Sequence, residues 1–514
     1  MLIRNARGWP LSGEADGDVE LADVPVIDVR IGGGRITESA PGLRAVANEE
    51  EIDAGGCALL PGLHDHHVHL RALAAAQASV QVGPEQVRTA AELRSRLRSH
   101  DASRPAGAWL RCVGYHESVA GPLDRWALDR MLPGSDRPVR VQHRTGALWV
   151  MNSAALARLG LDVDGVADVA AADGAAAGAA GDESGVERDA GGRVTGRLWR
   201  MDRWLADRLP ARSTDLTGAL AEMSARAAAL GVTGFTDATP GAGEGDVAAF
   251  AAAVADGTIA QRLVCMAPAD VADIPVVSVA PGSAPGRFSL GPVKILLDDD
   301  TLPSLDDLAD QVRQAHAVRR PVAVHCVTRV QLVLTLAALD VAGRLPGDRI
   351  EHGAVIPAEM VPVLCGLTVV SQPHFVAERG AQYATDVVPE DLPDLWRLRT
   401  LIDGGVAVAA GSDAPFGGAD PWHVMRAATS RPADLGPGET VDPATAIRLF
   451  LGEHTAPGVP RLVAPGYPAD LVLLRCPPWE AVRSLVSELA SELASDLVAA
   501  TFVGGDQVYS RYSG

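Results

Sequence analysis

The sequence predicts an α/β protein: a (β/α)₈ TIM barrel carrying an insert after its first strand, plus a small β-sandwich domain built from both chain ends. Three observations predict it. Eight short apolar runs alternate with helical or Gly/Pro-rich stretches from residue 58 onward. Potentially reactive side chains stand at the ends of most of those runs, and the two chain ends share a texture of short strands with Gly turns.

The eight runs are LLPGLHDHHVHL (59–70), GVTGFTDA (231–238), QRLVCMA (261–267), GPVKILLDD (291–299), PVAVHCV (321–327), DRIEHGAV (348–355), LTVVSQPHF (367–375) and GVAVAAGSDAPF (405–416). Their ends carry His67 and His69, Asp237, Lys294, His325, His352, His374 and Asp413. The C-terminal face of a barrel is where active sites lie. The barrel is therefore expected to comprise residues 59–70 and 226–459, and residues 71–225, too long for one βα connection, are read as an inserted subdomain. That insert has its own strand-like VRVQHRTGALWVMN (139–152), and its Ala/Gly/Asp-rich stretch 165–185, almost without large side chains, is expected to be a flexible loop.

At the chain ends, VPVIDVRIGGGRITE (24–38), ADLVLLRCP (469–477) and LVAATFVGGDQVYS (497–510) read as short strands, so residues 1–58 and 460–514 are expected to pair into one small β-domain. Between the last two, LVSELASELASDL (485–497) places Leu every four residues, the pattern of a short amphipathic helix.

Composition narrows the function classes. The 514 residues are 47% hydrophobic and 21% charged, enough for a sizeable core, and the formal charge is −20. No basic run appears, which argues against nucleic acid or an anionic membrane as the partner. The N-terminus lacks the apolar stretch of a signal peptide, and no segment reaches the roughly 18 apolar residues of a membrane span, so a cytoplasmic location is expected. Six scattered cysteines, without CxxC spacing, predict reduced thiols rather than a disulfide framework.

The first run places four histidines in six positions, HDHHVH, in a chain with 13. Period-two alternation puts His67 and His69 on one face with Asp65, and His64 and His66 on the other; either pair could offer two imidazoles to one metal. His325, His352 and Asp413 end later runs and add ligand types that suit Zn²⁺. Of 45 basic residues, 44 are Arg and one, Lys294, is Lys. A position that stays Lys in such a chain points to chemistry a guanidinium cannot perform, such as a neutral amine adding CO₂ to form an anionic, bidentate carbamate.

P-G-L-x-D-x-H-x-H (61–69), V-K-I-x-x-D (293–298), strand-end His325, R-I-E-H (349–352), Q-P (372–373) and G-S-D-A-P (411–415) together resemble, in order, the amidohydrolase superfamily. The long insert, the split β-domain and GYPADLVLL (466–474) are similar to its YtcJ-like branch (amidohydrolase family 3), which includes N-substituted formamide deformylase. The resemblance spans nearly the whole chain. It implies that His67, His69 and Asp413 hold one metal, that His325 and His352 hold a second or complete the first, and that a carboxylated Lys294 bridges. It also implies that Asp413 takes the proton from metal-bound water while the metal polarises a scissile carbonyl.

Departures from the branch bear on substrate contacts. Many relatives have D-G-H-x-x-x-x-N in the insert where this chain has Gly146 and Ala147 before Asn152, so a contact to the substrate or leaving group is either absent or supplied by His143 or Trp149. Asp298 is followed by Asp299 instead of Gly, either an extra carboxylate that would favour a basic or neutral substrate or a solvated loop Asp, and His374 is a candidate either for substrate binding or for structural support of the site.

The expectation is a metal-dependent hydrolase of a small-molecule C–N bond (a non-peptide amide, N-formyl or N-acyl group), with one or two Zn²⁺ and a CO₂-derived carbamate on Lys294. Opening of a cyclic imide or lactam, deamination of a heterocycle, and an inactive scaffold of the same fold remain alternatives. The intact ligand set argues against the scaffold. Barrel hydrolases of this size are often dimers, so a homodimer is allowed for.

Overall fold

A computed structural model describes residues 1–9, 24–103, 105, 107–161, 184–209, 216–271, 286–486 and 497–511. Most of the 165–185 stretch and residues 487–496 of the expected amphipathic helix lie outside these. The chain divides into two compact units, Met1–Leu70 with Leu220–Gly514, and Arg71–Ala219.

In the first unit the parallel strands form two arcs. Leu63–Val68, Val232–Asp237, Arg262–Cys265 and Phe288–Leu290 make one; Val293–Ile295, Val322–Cys326, Arg349–His352, Thr368–Ser371 and Ala407–Ala410 make the other. All eight expected runs contain a strand, and the fourth, which holds Val293–Ile295, is preceded by a separate segment, Phe288–Leu290, that the run did not include. Phe288–Leu290 pairs back to the third strand (Leu263↔Phe288) and Val293–Ile295 pairs forward to the fifth (Val293↔Val322). The break falls at Gly291–Pro292, where Pro has no N–H for a ladder and a Cβ on Gly291 would lie 2.6 Å from Val264 Cγ1.

No ladder among the described residues joins the eighth strand to the first, yet they meet through other bonds. The backbone N–H of Asp413 donates to His67 O (2.7 Å) and that of His69 to Ala414 O (2.9 Å). Further down the seam, residues 449 and 450 fill the gap: Ala410 N–H donates to Leu449 O and His64 N–H to Phe450 O.

Helices follow the strands where the sequence supplies caps. Ser304 accepts from Asp307 N–H at the start of Leu305–Ala317, and Thr328 accepts from Gln331 N–H at the start of Arg329–Ala342. Their apolar faces, Leu308, Val312, Leu332, Leu336 and Leu339, pack with Val293, Val322, Ile350 and Val369 in one buried cluster. That packing fixes the strands whose ends carry the site.

The chain ends meet in one eight-stranded sheet, ordered Asp506–Ser510, Val498–Val503, Leu471–Leu474, Ala58–Pro61, Leu2–Gly8, Val26–Gly32, Arg35–Ala40, with Glu51–Asp53 also on Leu2–Gly8. The first predicted run thus serves two sheets: Ala58–Pro61 pairs antiparallel with Leu471–Leu474, and Leu63–Val68 joins the parallel arc. Gly62 between them lies against Thr233, which a Cβ would overlap at 2.1 Å.

The second unit is a six-stranded sheet in the order Val186–Arg188, Val194–Trp199, Leu148–Met151, Val139–His143, Leu110–Tyr115, Val80–Gln81. The run 139–152 is a hairpin, with Val150 opposite Val141. Among the described residues, no helix is long and apolar enough to cross a membrane.

Candidate metal centre

Strand ends of the first unit bring together most of the residues singled out in the sequence. His67, His352 and Asp413 each offer a ligand atom, all within 4.8 Å of one another. His69 Nε2 lies 3.1 Å and His67 Nε2 3.5 Å from Asp413 Oδ1. The ring of His325 sits edge-on to that of His352, centroids 4.6 Å apart. His67 and His69 face this centre. His64 and His66 turn the other way: His64 stacks on His454 at 4.8 Å, and His64 Nε2 lies 2.9 Å from Thr236 Oγ1.

Two of these residues hold unusual backbones. His352 has φ 70° and Asp413 φ 51°, left-handed conformations uncommon for non-glycine residues and found most often where a site over-determines them. Gly411 is needed just before Asp413, because a Cβ there would lie 2.5 Å from the His67 backbone nitrogen. Asp65 fixes the same corner, accepting from Ser412 N–H (2.9 Å), Ser412 O–H (2.5 Å) and His67 N–H (3.2 Å).

Burial sets the protonation states. It lowers His67 to about 3, helped by the nearby Lys294 charge, and it likewise pushes His325 and His352 below the ordinary imidazole range. Burial would raise Asp413, but the hydrogen bond from His69 and the electrostatic interaction with the neighbouring His67 and His352 hold it well below the usual carboxylate range. Burial thus favours the uncharged imidazole at His67, His325 and His352 beside the ionised Asp413 carboxylate, the states in which these groups bind a metal.

Lys294 belongs to the same centre. Its amine nitrogen is buried without a hydrogen-bond partner, burial lowers its pKa, and it feels the charges of Glu351 and Asp413. His67 Nε2 is also buried with no hydrogen-bond partner. Orphaned buried groups are costly, and here they converge on one point with the donor types that suit a divalent ion. The residues present fit a metal.

The candidate substrate contacts have these surroundings. His374 is buried at the start of helix His374–Asp386, its Nε2–H donating to Ser412 O at 3.1 Å. Asp298 accepts from Asp300 N–H in the turn after the fourth strand. In the second unit, Trp149 Nε1–H donates to Asp202 (2.8 Å), and His143 pairs with Glu117 (2.9 Å), with His116 completing a second group of ligand-type side chains.

Three neighbours escaped the sequence reading. Glu351 accepts from His67 Nδ1–H, Arg349 donates to Glu351 at 2.5 Å, and His352 Nδ1–H donates to Gln372 Oε1 at 2.8 Å. The signal for the first two was present, since a Glu and an Arg in the short strand R-I-E-H require buried partners. Aromatic rings also border the imidazoles, Phe416 at 5.2 Å from His69 and Trp396 at 6.4 Å from His352.

Comparison with known proteins agrees with this geometry. The sequence pattern of the amidohydrolase family matches residues 50–509. YtcJ of Bacillus subtilis (strain 168) is 26% identical over 428 residues, covering 74% of this chain and 75% of its own. N-substituted formamide deformylase of Arthrobacter pascens is 29% identical over 156 residues, 27% of this chain and 28% of its own. In fold, the chain is similar to an uncharacterised metal-dependent hydrolase of Pyrococcus furiosus, with TM-score 0.67 and 19% identity over 92% of this chain and 98% of that one. The chain belongs to the amidohydrolase family, in its YtcJ-like branch, and is a hydrolase acting on carbon–nitrogen bonds.

Proposed function

We propose that the chain hydrolyses a non-peptide amide, N-formyl or N-acyl bond of a small molecule in a metal-dependent reaction, on a closed (β/α)₈ barrel capped by a β-sandwich of the chain ends. The observation that carries the reading is the convergence of buried His67, His352 and Asp413 and half-buried His69 with the orphaned amine of Lys294.

His67, His69 and Asp413 would hold one divalent ion, His325 and His352 a second or the remaining positions of the first, and Lys294, as its CO₂-derived carbamate, would bridge. Zinc suits this set of imidazole and carboxylate donors. When bound, it supplies a Lewis acid that polarises a carbonyl and lowers the pKa of water toward about 7. Lys294 is suited to carboxylation because burial favours its neutral amine, the form that adds CO₂.

The chain's own groups do the rest. Asp413, ionised and flanked by His67 and His69, is the oxygen acceptor for a proton from the attacking water. The O–C bond forms, the C–N bond breaks, and that proton passes from the Asp413 carboxyl to the leaving nitrogen. Phe416 and Trp396 keep apolar surface beside the imidazoles and limit access of bulk water. His374 and Asp298 are proposed to contact substrate.

Elemental analysis of protein purified without chelator and with bicarbonate tests the reading, followed by a panel of amides, formamides and cyclic imides with product mass. Stoichiometric zinc and release of a free amine support it. Metal near zero, with none gained on addition, would overturn it, and ammonia release from heterocycles alone would replace the acyl substrate with a ring.

A further inference from the structure

We infer that Glu351, fixed by Arg349, is the positioning residue that holds His67 in its metal-binding tautomer. The inference rests on the proposed metal centre and concerns a part of it that the ligand set leaves unexplained.

A neutral imidazole carries one N–H and one lone pair, and the partner of the N–H decides which nitrogen can bind a metal. Glu351 Oε2 has only lone pairs to offer, so His67 Nδ1 is its donor and the lone pair is left on Nε2. That Nε2 is the atom without a hydrogen-bond partner, and it faces Asp413 Oδ1 at 3.5 Å. The pairing is made across the barrel interior, because Glu351 comes from the sixth parallel strand and His67 from the first.

The carboxylate in turn is not free to rotate. Arg349 is two residues away on the same strand, on the same face by the period of a β-strand, and its Nε–H donates to Glu351 Oε1 at 2.5 Å. Arg349 also donates from Nη2 to His66 O at 3.3 Å, so the guanidinium grips the backbone of the strand whose imidazole it helps to aim. Arg349, Glu351 and His67 are each 1% exposed or less, which excludes the water that would otherwise compete for the ring N–H.

His352 has a parallel arrangement with a neutral partner, its Nδ1–H held by the Gln372 amide oxygen. The contrast is chemical. A carboxylate raises the electron density on the imidazole it accepts from, so His67 is the stronger donor to a cation and His352 the weaker. Glu351 touches no reacting atom in this scheme; it acts through His67.

The test uses the full chain, zinc affinity by chelator competition, and the visible spectrum of the cobalt-substituted protein. Glu351→Gln keeps an acceptor oxygen but removes the charge, and it is expected to weaken zinc by about 10–100-fold and to change the cobalt band. If the lone Arg349 left by that change prevents folding, the double variant Arg349→Gln/Glu351→Gln removes both charges and is read instead. His67→Ala is the reference for loss of a ligand. Zinc affinity and cobalt spectrum indistinguishable from wild type in the Glu351 variants, with affinity lost in His67→Ala, would overturn the positioning role alone. Unchanged affinity in His67→Ala as well would overturn the metal centre and this inference with it.

Discussion

Lys294 is the one lysine among 45 basic residues, and its amine is buried near the carboxylates of Glu351 and Asp413 without a hydrogen-bond partner. An ordinary ammonium left so would carry a desolvation cost of several kcal/mol. A carbamate between metal ions has no such cost. Lys294→Arg is therefore expected to fold normally, because the longer cation can still lean on the same carboxylates, yet to lose most turnover. Wild-type turnover in that variant, or no carbamate ¹³C resonance in the wild-type protein supplied with labelled bicarbonate, would refute the bridging role. Much of the centre was legible residue by residue: the histidine-rich first strand, the strand-end His325 and His352, and Asp413 all stand where their spacing implied. Alternation alone left two histidine pairs open, because a period of two separates faces without saying which face is the site. The opposite pair proved to be buried as well, with His64 stacked on His454 from a segment some 390 residues away that no local pattern could link to it.

At the scale of elements, the end sheet is tied to the parallel strands by a buried ion pair that neither segment announces. Asp470 sits just before strand Leu471–Leu474 and accepts from Arg262 of the third parallel strand (Nη2 to Oδ1 3.3 Å) and from Gly504 N–H at 2.7 Å, while its backbone carbonyl accepts from Gly62. Burial would raise the Asp470 pKa, but His454 and Arg262 hold it well below the carboxylate range. Asp470→Asn leaves Arg262 buried without its counter-charge and is expected to destabilise the first unit by about 3–5 kcal/mol at pH 7. A carboxylate with a depressed folded pKa contributes its stability above the unfolded value, about 3.9, and loses it as pH falls below that toward the folded value. The gap between variant and wild type in urea melts should therefore narrow below about pH 4, and a gap that stays constant down to pH 2 would assign the loss to packing. The eight parallel strands were readable because most lie in short apolar runs bounded by turn residues. The break in the fourth strand and the double use of the first were not, since Gly291–Pro292 and Gly62 read locally as minor interruptions and only the partner strands show which ladder each half joins.

The molecule as a whole divides into two compact units, and every residue of the proposed metal centre belongs to the first. A ligand that binds only the folded state stabilises it by mass action, about 2.7 kcal/mol when free metal is a hundredfold above its dissociation constant. The proposed ligands come from strands in both arcs, His67 and His69 from the first and its end, Lys294, His325, His352 and Asp413 from the second and its ends, so the metal would link the arcs across the seam where no ladder among the described residues does. Removing it should loosen the first unit as a body and leave the insert's own sheet, whose core is Val82, Leu93, Leu110, Val139 and Val150, at its own stability. Calorimetry of the full chain with zinc and with chelator is expected to show the transition of the first unit moving by several degrees, while any separate transition of the insert stays fixed. The same pair of scans on His67→Ala should show no metal-dependent shift. A zinc-induced shift that survives in His67→Ala but vanishes in His143→Ala would place the stabilising ion on the insert's His116, Glu117 and His143 group, and the main centre would then have to act without it.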